Sequence, residues 1–135
     1  MENEALHKSV VIETDFFPSL PPVMGDRNQL TQVILNIVNN AFQAMEEKGL
    51  LLIKTGISAD KSQVIINFID NGKGIPEEII DKIFDPFVSN KEGGTGLGLA
   101  ISNRIITDHK GELKVSSKPG EGTNFSVILP GITTL

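Results

Sequence analysis

Cysteine is absent from this sequence, which removes disulfide frameworks, thiolate zinc sites and cysteine nucleophiles from consideration at once. A reducing, cytosolic setting is compatible with that absence. Basic residues are also in short supply: 12 Lys and Arg face 17 Asp and Glu, giving a formal net charge of −5 and a pI near 5.0. They are scattered and form no stripe, so no nucleic acid partner is expected. Long apolar runs are missing too. A stretch such as residues 64–69 is far too short to cross a bilayer, and the N-terminus is acidic where a signal peptide would be basic. A soluble fragment making no membrane contact is expected. There is no internal repeat, low-complexity tract or second-domain boundary, and 135 residues suffice for one domain with a real core. Residues 9–135 read as that domain and residues 1–8 as a linker remnant.

What is present begins with a short strand over residues 9–14 and a connection through Pro18, Pro21 and Pro22 that can continue neither a ladder nor a helix. Asp26 with Gln29 three residues on is a capping-box arrangement, and Leu30, Val33, Ile34, Ile37, Val38, Ala41 and Met45 then recur at helical spacing up to a stop at Gly49. Residues 50–57 and 64–69 read as strands around a polar hairpin loop, the second of them apolar on both parities and therefore central. Pro76 suits the first position of a short helix reaching about Ile83, and residues 84–94 read as loop. A helix over residues 96–109 ends at Gly111 and places His109 at its C-terminus, where partial positive charge is favourable. Strands over 112–117 and 123–129 flank a turn rich in Gly and Pro.

Three features stand out along this framework. Gln29, Gln32, Asn36, Asn39, Asn40 and Gln43 share one arc of about 100° on the first helix. Such an amide face is either a solvated surface or a set of neutral oxygen ligands for a hard cation beside polyphosphate. Asp70 closes an apolar strand and is followed by Asn-Gly-Lys-Gly-Ile-Pro76, a stretch that is either turn chemistry or a carboxylate poised for the amino group of a purine. Gly93, Gly94, Gly96 and Gly98, with Lys91 just before them, lie where a helix opens, a place that suits an anion and also suits a flexible lid. The pattern is neither the Gly-Lys-Ser/Thr phosphate loop nor the dinucleotide fingerprint, because Leu99 occupies the last glycine position.

In this order the motifs resemble the catalytic, ATP-binding domain of sensor histidine kinases. These belong to the GHKL, or Bergerat-fold, superfamily with gyrase, the ninety-kilodalton heat-shock chaperones and the mismatch-repair ATPases. The resemblance covers residues 10–130, with residues 32–41 as the N box, 70–76 as the G1 box, 83–87 as the F box and 94–99 as the G2 box. It implies a two-layer α/β sandwich: a mixed sheet of about five strands, helices on one face, and an ATP lid over residues 84–95.

The resemblance also implies ATP and Mg2+ as cofactors, with Asn40 as the metal ligand and Asn36, Asn40 and Lys91 as the catalytic set. Asp70, Gly72, Gly74, Ile75 and Thr123 would surround the base. Gln43, Lys91, Gly94, Thr95, Gly96, Leu97 and Gly98 would face the phosphates, with Gln43 standing where many kinases of this family carry Lys. Hydrolytic relatives such as gyrase have Glu at the position of Asn36. An amide cannot act as a general base, so transfer to another nucleophile is favoured over water.

Neither His7 nor His109 has the sequence setting of an acceptor histidine. The implied partners are therefore a separate dimerisation and histidine phosphotransfer domain and, indirectly, a response regulator. The implied location is cytoplasmic, whether or not the parent protein is membrane-anchored. A stand-alone Ser/Thr kinase of the anti-sigma type and a non-enzymatic nucleotide-binding module are the alternatives.

Overall fold

The computed structural model describes residues 9–45, 48–87 and 97–132. Strands β1 (Val11–Asp15), β2 (Leu50–Ile57), β3 (Gln63–Asp70), β4 (Glu112–Ser117) and β5 (Thr123–Pro130) form one sheet in the order β1-β2-β3-β5-β4. Only β1 and β2 run parallel, and α1 (Arg27–Ala44) supplies the crossover that such a pair requires. Helix α2 (Glu77–Ile80) is a single turn, and α3 (Gly98–Asp108) lies beside α1.

Period-2 alternation sends one side of the sheet into the core. Leu51, Phe68, Leu113, Phe125 and Val127 from alternate strand positions meet Val33, Ile37, Phe42, Leu99 and Ile106 from the two long helices. The opposite parity carries Lys54, Asn67, Lys114 and Ser126, so helices cover a single face and the architecture is the expected two-layer sandwich. Phe42, Phe68 and Phe125 are each 2% exposed or less, and burial of each contributes about 2 kcal/mol.

Both ends of α1 differ from the sequence reading. The Asp26 carboxylate accepts the Gln29 N–H at 2.9 Å, as an N-cap should. The Asp26 N–H, which Gln29 would take in a complete capping box, goes instead to His109 Nε2 at 3.0 Å. His109 Nδ1 lies 2.7 Å from the Ile105 carbonyl, so Nδ1 carries the proton and Nε2 accepts. The histidine does sit at the helix C-terminus, but it works there as a neutral link between α3 and α1. The helix stops at Ala44, with Met45 already extended, and Gly49 is needed for a different reason than a stop. A Cβ at Gly49 would lie 2.7 Å from Met45 Sδ.

Smaller boundary shifts have equally local causes. Ser9 adopts a left-handed φ of 52°, so β1 starts at Val11. Pro76 precedes α2 with an extended ψ of 143°, and after Ile80 the α-helix gives way to tighter turns, such as Lys82 N–H to the Ile79 carbonyl, that reach residue 87. Helix α3 starts at Gly98, with Leu97 as its N-cap.

Asp26→Ala removes the cap of the longest described helix. An expected loss of about 1 kcal/mol should lower the Tm by about 4 °C in a calorimetric melt. An unchanged melt would mean that the His109 link alone holds that end.

Candidate functional site

Asp70 is the last residue of β3 and stands between Leu51 of β2 and Thr123 of β5. It is 5% exposed, as is Thr123. Burial pushes the Asp70 carboxyl above its ordinary value, against the opposing pull of the backbone N–H groups of Gly72 and Thr123. The Gly72 bond, to Oδ1, is 2.8 Å long. Asp70, Ser117 and Thr123 border a cavity of about 280 Å3. Two others, of about 500 and 310 Å3, flank Lys73 and include neither Asp70 nor Thr123.

The loop after Asp70 is clamped on both sides. Toward α1, Lys73 N–H donates to the Ala44 carbonyl at 3.1 Å, satisfying an acceptor that a helix C-terminus would otherwise leave open. Gly72 lies so near that a Cβ would come within 2.6 Å of the same oxygen. Toward the β4–β5 turn, Gly120 N–H donates to the Lys73 carbonyl at 2.7 Å. Gly74, with φ +75°, sits where a Cβ would collide with the Lys118 carbonyl oxygen. Only glycine satisfies both the backbone angle and the space there. Ile75 is buried, and its N–H donates to Ser117 Oγ at 2.9 Å.

The amide face of α1 divides by depth. Asn36, Asn39 and Asn40 are half-buried, whereas Gln29, Gln32 and Gln43 are exposed. Asn36 Nδ2 donates to the Gly98 carbonyl at 3.2 Å and to Ser102 Oγ at 3.1 Å. Its amide nitrogen therefore fastens α1 to the first turn of α3, beside Leu97 and Gly98. The Asn40 side chain, one turn further along the same face, hydrogen-bonds to no described residue. Lys91, Gly94, Thr95 and Gly96 lie outside the described residues, as does most of the expected lid over 84–95.

Two side chains that organise the site were not singled out from the sequence, though both left a trace there. Ser102 is fully buried on the Leu99, Ile105, Ile106 stripe of α3, and a hydroxyl on an apolar stripe marks a polar contact inside. Ser117 continues the inward parity of Leu113 and Val115 and is the polar exception on that face of the strand. The F-box residue Phe84 packs on Phe125, with ring centroids 6.4 Å apart.

The family model described as histidine kinase-, DNA gyrase B- and HSP90-like ATPase matches residues 25–132. The chain belongs to that family. Within it the ATPase domain sides with the kinases. The sensory histidine kinase/phosphatase NtrB of Rhodobacter capsulatus is 41% identical over 132 residues, which are 90% of this chain but 37% of that protein. The nucleotide-free catalytic domain of the histidine kinase ThkA superposes with a TM-score of 0.83 at 30% identity, covering 96% of this chain and 86% of that one.

ThkA has also been solved in complex with the response regulator protein TrrA, where the match has a TM-score of 0.79 at 27% identity over 97% of this chain and 37% of that one. Full-length ShkA in complex with AMPPNP matches with a TM-score of 0.85 at 30% identity, over 99% of this chain and 28% of that one. The chain is thus an ATP-binding catalytic domain of the histidine kinase type, and it spans well under half the length of the NtrB relative. No described helix is long and apolar enough to cross a membrane.

Proposed function

We propose that this domain passes the γ-phosphoryl group of ATP to a histidine on a separate dimerisation domain, from which it reaches an aspartate of a response regulator. The observation that carries the reading is the setting of Asn36. Position 36 faces the Gly98 carbonyl, an acceptor, and an amide supplies the donor that a Glu would lack. The site thus favours a residue that cannot deprotonate water, so the phosphoryl group goes to an external nucleophile.

In this reading residues 9–135 form the catalytic domain, Asp70 accepts the amino hydrogen of adenine, and Gly72, Gly74, Ile75 and Thr123 enclose the ring. Leu97, Gly98 and the segment with Lys91, Gly94, Thr95 and Gly96 meet the phosphates, with Gln43 at their margin. Among the described residues no cluster of three His, Asp or Glu side chains could cage a metal. A hard cation bound mainly by phosphate oxygens and water, with one amide oxygen from Asn40, fits such a donor set. Asn40 would hold a magnesium ion there, and the ion would supply positive charge against the negative charge that develops in transfer. The cytoplasm, where ATP and a response regulator meet, is the compartment this reading requires.

The test mixes the domain with radiolabelled ATP, magnesium and a helical-hairpin domain bearing an acceptor histidine. Acid-labile, base-stable label on the hairpin is expected. Label released only as inorganic phosphate would point to a hydrolase, and acid-stable label to a Ser/Thr kinase.

A further inference from the structure

Ser117 Oγ has three partners: the Ile75 N–H at 2.9 Å, the Gly122 carbonyl at 2.8 Å and Thr123 Oγ1 at 2.9 Å. A serine hydroxyl has one proton to give and two lone pairs to receive with. The Ile75 N–H can only donate, so it takes one lone pair. The Gly122 carbonyl can only accept, and two oxygens at that separation need a proton between them, so it takes the serine proton. What remains is a lone pair facing Thr123, and Thr123 must therefore donate its hydroxyl hydrogen to Ser117. The Thr123 hydroxyl is left with lone pairs alone to offer a ligand.

We infer that Ser117 is a positioning residue for base selection: by holding the Thr123 proton it makes Thr123 an obligate acceptor beside the acceptor Asp70. The inference rests on the proposed base-binding role of Asp70 and Thr123. Asp70 lies opposite Thr123 in the ladder, and both are nearly buried, so a mismatched polar edge placed between them finds little water to compensate. Two acceptors side by side suit a purine carrying a 6-amino group, directly or through a bridging water. They oppose a 6-oxo group, which is itself an acceptor. Without the serine hydroxyl, Thr123 is free to turn its proton toward the ligand, and the penalty against a 6-oxopurine relaxes. Ser117 itself need touch no part of the nucleotide.

The experiment measures ATP and GTP binding by titration calorimetry, in magnesium, for wild type, Ser117→Ala, Thr123→Val and the double variant. Wild type should prefer ATP. Ser117→Ala should compress the ATP-to-GTP affinity ratio about tenfold, the worth of one misdirected buried hydrogen bond. In the Thr123→Val background, where no hydroxyl remains to be oriented, Ser117→Ala should leave the ratio unchanged. A merely structural serine would weaken both nucleotides alike in either background, and that result overturns the inference. If Thr123→Val and Asp70→Asn both leave ATP and GTP binding as in wild type, the base-binding reading itself is wrong and the inference goes with it. Should Ser117→Ala not fold, Ser117→Cys keeps the volume with a weaker donor. It should also compress the ratio, and an unaltered ratio there counts against the serine.

Discussion

Asp70→Asn should weaken ATP binding by about one to two orders of magnitude, because the substitution would exchange the proposed charge-assisted hydrogen bond to the base for a neutral one at a position only 5% exposed. The same variant separates function from stability. Burial holds the wild-type carboxyl above its ordinary value in the folded domain, despite the N–H groups of Gly72 and Thr123. A group raised in this way gives its full contribution to stability below the unfolded-state value of 3.8 and loses it as the pH climbs through the folded-state value. The Tm of Asp70→Asn minus that of the wild type should therefore increase from acid toward neutral pH and then level off. Over the same interval the ratio of wild-type to Asn-variant ATP affinity should rise as the carboxylate forms, since the titration of the ATP phosphates is common to both proteins and cancels. Parallel melts and parallel affinities across the pH range would show that Asp70 neither carries the buried charge nor meets the base.

Gly74→Ala is expected to do more damage to the fold than any surface change of its size. The φ of +75° costs a side-chain-bearing residue about 1–2 kcal/mol, and the new methyl group would run into the Lys118 carbonyl. The β4–β5 turn must then lift away from the loop, taking with it the bonds from Gly120 to Lys73 and from Ile75 to Ser117. A loss of about 3 kcal/mol and a fall in ATP affinity of more than tenfold are expected. Gly120→Ala is the matched control. It has a φ of +79° but nothing within 4 Å of the added carbon, so it should show the backbone strain alone and keep ATP binding near the wild-type level. Equal effects of the two substitutions, in denaturant unfolding and in nucleotide titration, would mean that the clamp contributes nothing to the site.

The sequence made some of this visible and hid the rest, for physical reasons that differ by residue. The core-facing stripe of α1 and the alternation of β5 follow from periodicity, which is a local property of the chain. So does the place of Asp70 at a strand end. Which backbone groups the site loop touches is not local. Nothing near Gly74 in the chain reveals that Lys118 will press against it, because that contact exists only once β5 pairs with β3. Asn36 shows the same limit: its position on an amide face was legible, but its commitment to Gly98 and Ser102 depends on how α3 packs across α1. His109 was placed at the correct helix end and assigned the wrong service, since a charge–dipole argument knows nothing of an N–H arriving from Asp26.

The bond from Lys73 to the Ala44 carbonyl has a consequence beyond capping a helix. Asn40 stands one turn before Ala44 on the same rigid rod, so the proposed metal end and base end of the ligand are joined by a span of about 6 Å of helix with no hinge in it. Such a span works as a fixed gauge. Asn40 thereby keeps a set distance from the loop that follows Asp70, and the spacing between the two proposed ends of the site is written into the length of one helical turn.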